Sequence, residues 1–93
     1  MELETRIKIW KSAKNDISTG KYAFICQALV SGYWKHFKGF ILVHEAFGLF
    51  PEVLKHEPKI KRSTNIWFPV DEAGCKKRIE ICNNVIKELK SKL

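Results

Sequence analysis

The sequence lacks closely spaced cysteines, long apolar runs, glycine-rich loops and an ample supply of acidic residues, and each shortage excludes a class of protein. Its cysteines, Cys26, Cys75 and Cys82, are odd in number and far apart. That spacing argues against a disulfide scaffold and for a reducing compartment. No apolar run approaches the ~20 residues that a helix needs to cross a bilayer. Phe40 to Val43 is typical of what is present. The opening Met1-Glu2-Leu3-Glu4-Thr5-Arg6 is charged and has no signal-peptide core. A cytoplasmic protein with no membrane partner is expected.

The familiar catalytic and phosphate-cradling motifs are also missing. There is no P-loop, no His-Glu-x-x-His and no Gly-x-Ser-x-Gly. A dyad of Cys26 and His44 can be drawn, but Cys26 sits inside the most apolar stretch, where a thiol is inert. His36, His44, His56 and the cysteines lack the ligand spacing of a zinc finger or ribbon. The expectation is a non-enzymatic protein with no cofactor and no metal.

What the chain does contain is positive charge and aromatic rings. Seventeen basic residues face ten acidic ones, a net charge of +7 over 93 residues. The excess is spread along the chain with no polybasic tail, which suits either an anionic partner or plain solubility. The length allows one domain, residues 1–93, with a modest core. Tyr33, Trp34, Phe37, Phe40, Phe47 and Phe50 cluster in the middle of the chain.

Periodicity points to a mainly α fold, a compact small helical domain of about 3–4 helices with one long irregular loop at about 58–70. Leu3, Ile7, Trp10, Ala13 and Ile17 mark a helix over about 2–18, stopped by Gly20. The apolar run 22–30 fits a buried helix or strand, with alanines favouring a helix that folds back on the first one and ends at Gly32. Residues 34–48 repeat a helical spacing through Trp34, Phe37, Phe40, Ile41, His44 and Phe47. Gly39 to His44 could instead form a strand. Pro51 suits the first turn of a short helix reaching His56. Asp71 offers an N-cap, and Cys75, Arg78/Ile79, Cys82, Val85/Ile86, Leu89 and Leu93 trace the cleanest amphipathic face.

Three constellations could carry binding. In the loop from Pro58 to Pro69, Lys59, Lys61 and Arg62 supply charge, Ser63, Thr64 and Asn65 supply donors, and Trp67 and Phe68 supply ring faces. Phosphate needs the first two and a base needs the third, so an anionic nucleotide or nucleic acid is the ligand class implied. The competing reading has Trp67 and Phe68 sealing the core and the lysines simply solvated. The second constellation is Lys76, Lys77 and Arg78 at the start of the last helix, where backbone donors favour anions but Asp71 and Glu72 oppose them. A solvated charged face is the favoured reading. The third, Tyr33-Trp34-Lys35-His36-Phe37-Lys38, interleaves rings and charge as any amphipathic helix does, and core packing is the favoured reading.

In style the chain resembles small proteins of bacteriophages and mobile elements. The features are its shortness, its lysine, asparagine and isoleucine content, Phe47-Gly48-Leu49-Phe50-Pro51-Glu52, and Trp67-Phe68-Pro69. The resemblance implies a host-takeover or counter-defence role exerted by binding. One form is a homo-oligomer that sequesters a nucleotide signal between subunits. The others are a basic module that binds nucleic acid or inhibits a host protein handling it, and a structural virion or scaffold component.

Overall fold

The computed structural model describes residues 1–57 and 70–93. Five α-helices and one 3-10 turn make up the described chain: α1 (Leu3–Ser18), α2 (Ile25–Phe37), the 3-10 turn (Val43–Glu45), α3 (Ala46–Leu49), α4 (Val53–His56) and α5 (Glu72–Lys90). No strand occurs among the described residues. The mainly helical expectation therefore holds, while the proposed loop falls almost wholly on residues 58–69, outside the described set.

The helix α1 is central because it is apolar on more than one side. Ile7, Ile9, Trp10, Ala13 and Ile17 are all buried, and α2 and α5 pack against it on either flank. Asp16 is buried too; its carboxylate accepts from Lys35 Nζ at 3.0 Å, while its backbone oxygen accepts from the N–H groups of Lys21 and Tyr22. Those two bonds close the turn between α1 and α2, which passes through Gly20 at φ +78, a conformation open to glycine at little cost.

Gly32 does not end the second helix. It lies inside α2, buried, where an added Cβ would sit 3.2 Å from Ile9 Cγ2 and 3.3 Å from the Ile9 carbonyl oxygen. Its missing side chain lets α2 approach α1 closely. The helix instead stops at Lys38, which adopts the left-handed conformation (φ 57) and donates its N–H to Trp34 O at 2.7 Å.

The continuous helix expected over 34–48 is accordingly divided. Its first residues complete α2, Gly39–Leu42 have no regular structure, and Val43–Glu45 form the 3-10 turn, so residues 39–44 are neither α-helix nor strand. The core role favoured for the aromatic face is also overturned. Trp34 is 41%, Phe37 44% and Phe40 84% exposed. The side of α2 that meets α1 carries Ile25, Ala28, Leu29 and Gly32, and the Trp34 side lies opposite to it.

Short helices α3 and α4 close one end of the bundle. Ala46, Phe47, Phe50 and Val53 enter the core. Glu52 fixes this corner to α1 by accepting from Arg6 Nη1 at 2.6 Å and Trp10 Nε1 at 3.0 Å. On α5, Asp71 caps as expected, accepting from Gly74 N–H at 2.8 Å. The buried stripe is Arg78, Ile81, Cys82, Val85, Ile86 and Leu89. It is rotated slightly from the expected one, because Cys75 and Ile79 are half-buried and Leu93 is 69% exposed.

Candidate functional site: a lysine-lined groove

The helices α1 and α5 run antiparallel, with Cys75 near the start of α5 donating to the Ile17 carbonyl near the end of α1 at 3.6 Å. Beside their contact line lies a groove of about 590 Å³, lined by Lys11, Lys14, Asn15 and Ser18 from α1 and by Asn83, Ile86, Lys87 and Lys90 from α5. Both helices contribute residues at i, i+3, i+4 and i+7, the spacing of a single helix face. At 1.5 Å per residue each face runs about 10 Å.

The groove gathers basic side chains that no described acid meets. On the rest of the described surface Arg6 meets Glu52, Lys35 meets Asp16, Lys55 and His56 meet Glu88, and Lys76 meets Glu72, whereas Lys8, Lys21, Lys38, Lys77 and Lys92 form no ion pair with a described residue. No carboxylate lines the groove, and no described residue forms an ion pair with Lys11, Lys14, Lys87 or Lys90. Asn15, Asn83 and Ser18 add short donors of the kind that reach phosphate oxygens. The floor is apolar, formed by Ile86, with Cys82 on the core side of it. Burial pushes the Cys82 thiol up to about 12, against the opposing pull of the Lys14 ammonium. The thiol therefore stays protonated and contributes no charge.

The sequence-predicted site residues are divided by the structure. Lys59, Lys61, Arg62, Ser63, Thr64 and Trp67 lie outside the described residues. Lys76 is exposed and falls within about 20° of the Asn83 direction on α5, so it extends the groove line one step toward the helix start. Lys77, also exposed, points about 120° away from that line. Arg78 is enclosed, its guanidinium carbon 5.4 Å from the Phe24 ring centroid. Desolvation lowers its pKa, while the nearby Cys75, Asp71 and Cys26 oppose that shift. It belongs to the interior and not to a binding face.

Lys11 and Lys14 lie off the apolar stripe that Ile7, Trp10, Ala13 and Ile17 trace along α1. Their spacing, and the matching spacing of Asn83, Lys87 and Lys90, was legible; the antiparallel packing that brings the two faces together was not. Cys26 is buried and His44 exposed. Among the described residues no group of three histidine, cysteine or acidic side chains could hold a metal ion. None of the described helices is long and apolar enough to cross a membrane. Searches of protein-family models, curated proteins and solved structures find no match for this chain.

Proposed function

We propose that this protein is a non-enzymatic binding protein for phosphate-bearing polyanions, and that nucleic-acid backbone lies along the α1–α5 groove. The observation that supports this reading is the convergence of Lys11, Lys14, Lys87 and Lys90 in one groove without a lining acid. Surface lysines kept for solubility alone are normally interspersed with acids. Four gathered ammonium groups repel one another until a polyanion or its counterions neutralise them. Among the described residues no aromatic side chain lines the groove. That favours the sugar-phosphate backbone over an enclosed nucleotide, whose base would need a ring or an apolar slot. In the counter-defence setting that the resemblance implies, such a groove would shield nucleic acid or compete for it.

The test is fluorescence anisotropy with a short labelled DNA duplex and its single strand at low salt. Lys11→Glu with Lys87→Glu should weaken binding by about tenfold or more and leave melting unchanged, because both side chains are exposed. A second pair, Lys61→Glu with Arg62→Glu, examines the loop expected from the sequence at about 58–70. If the loop pair abolishes binding and the groove pair does not, the groove assignment is wrong. Native mass spectrometry adds an independent check: an oligomer that retains a nucleotide would replace the backbone reading with nucleotide sequestration.

A further inference from the structure

The outer faces of the two flanking helices are unlike each other. That of α5 is polar, with Lys77, Glu80 and Asn84 exposed. That of α2 is apolar and continues into the following segment: Trp34, Phe37, Phe40, Leu42 and Val43 are all exposed large hydrophobics. Contiguous exposed apolar surface on a small protein marks an interaction site. Here it has the shape of one. Between α2 and the 39–43 segment runs a groove of about 360 Å³, walled by the Tyr22, Trp34 and Phe40 rings with Val30 and Val43. Trp34 and Phe40 stand 6.4 Å apart, centroid to centroid.

Charge at the rim selects the occupant. Lys21 Nζ lies 5.9 Å from the Tyr22 ring centroid and Lys38 Nζ lies 4.6 Å from that of Trp34, so an ammonium is held beside each of these walls. Lys38 occupies its place in a left-handed backbone conformation that a non-glycine residue adopts at a cost. Among the described residues no acid lines the groove. Glu45, the acid of this corner, has its carboxylate on the Leu42 N–H at 2.9 Å. A second copy would bring the same lysines and another +7 to the contact, whereas an acidic partner is attracted by both.

We propose that the Trp34–Phe40 groove is a docking site for an amphipathic helical segment of a partner protein, with apolar anchors at helical spacing and acidic residues flanking them. The anchors would fill the space between the rings, as helix-in-groove recognition requires. The flanking carboxylates would meet Lys21 and Lys38. The assignment is independent of the lysine groove on α1 and α5.

A displayed random-peptide library selected against the whole protein, with counter-selection against Phe40→Ser, tests it. Phe40 is 84% exposed, so its replacement should not disturb the fold, and a melting curve confirms that. Enriched peptides should carry apolar residues at i, i+3 or i+4, and i+7 with Asp or Glu beside them. Synthesised, they should lose about tenfold or more in affinity on Phe40→Ser, and should weaken on Lys21→Glu with Lys38→Glu and with added salt. Peptides without acidic flanks, binding insensitive to these variants, or no enrichment would overturn the proposal. So would sedimentation showing a wild-type dimer that Phe40→Ser converts to monomer, since the occupant would then be a second copy.

Discussion

Two glycines in helices separate conformational cost from packing. Gly32 faces Ile9 so closely that an added methyl group would require a neighbour to give by a few tenths of an ångström, and one of the atoms it would meet is a backbone oxygen within α1. Gly48, in α3, has nothing within 4 Å of an added Cβ. Replacing a helical glycine by alanine gains up to about 1 kcal/mol, but forcing extra volume into a packed contact costs about 1–3 kcal/mol. Gly48→Ala is therefore expected to leave stability unchanged or raise it slightly, and Gly32→Ala to lower it. Denaturant melts of both variants decide the matter; a Gly32→Ala protein more stable than wild type would mean that α1 and α2 have slack between them. The same residue shows why α2 was misread. Glycine within a helical pattern is as good a stop signal as it is a packing device, and only the opposite helix distinguishes the two. Cys82 was easier: the spacing put it on the apolar face of the last helix, and it is buried there.

Among the helices, α1 and α5 were legible from their apolar spacing and α2 was not. The expected α1 matches the observed one to within a residue; α5 follows Asp71 as expected but ends at Lys90, short of Leu93, and α4 reaches His56 but begins at Val53, after Pro51. On α5 the stripe centres on Val85, fully enclosed, and leaves Ile79 half-buried; a substitution at Ile79 would probe the margin of the core and not its middle. α2 has apolar residues on both sides, and a sequence cannot say which side meets α1. The join between α4 and α5 was invisible because it is made by charge. Glu88 accepts from Lys55 Nζ at 2.6 Å and is 2.8 Å from His56 Nε2. These contacts hold the Glu88 carboxyl below its ordinary value, the Lys55 hydrogen bond contributing most. A carboxyl whose pKa is lower in the folded state contributes stability above its unfolded pKa and loses it as pH falls through the folded one. Stability should thus decline on acidification below about pH 4–5, and Glu88→Gln should flatten that decline. Because Lys55 is largely exposed, added salt should shrink the difference. Melting temperatures that fall in parallel for the two proteins would show that the clip contributes nothing.

At the scale of the whole molecule, a charge of +7 is consistent with two quite different proteins: one that attracts polyanions diffusely over its surface, and one that holds them in a place. Composition cannot separate these, since the excess is spread evenly along the chain; only the fold gathers Lys11, Lys14, Lys87 and Lys90. The salt dependence of DNA binding distinguishes them. Each phosphate neutralised contributes about −0.9 to the slope of log K against log salt on duplex DNA, so a four-lysine groove predicts a slope between about −3 and −4. Lys11→Gln with Lys87→Gln should make it shallower by about 2. Lys21→Gln with Lys77→Gln removes the same charge from positions away from the groove and should leave the slope as it was. Diffuse attraction predicts equal changes for both pairs, because it counts net charge and ignores position. Equal slopes would therefore dissolve the groove into the general surface, whereas a change confined to the first pair would fix the polyanion between α1 and α5.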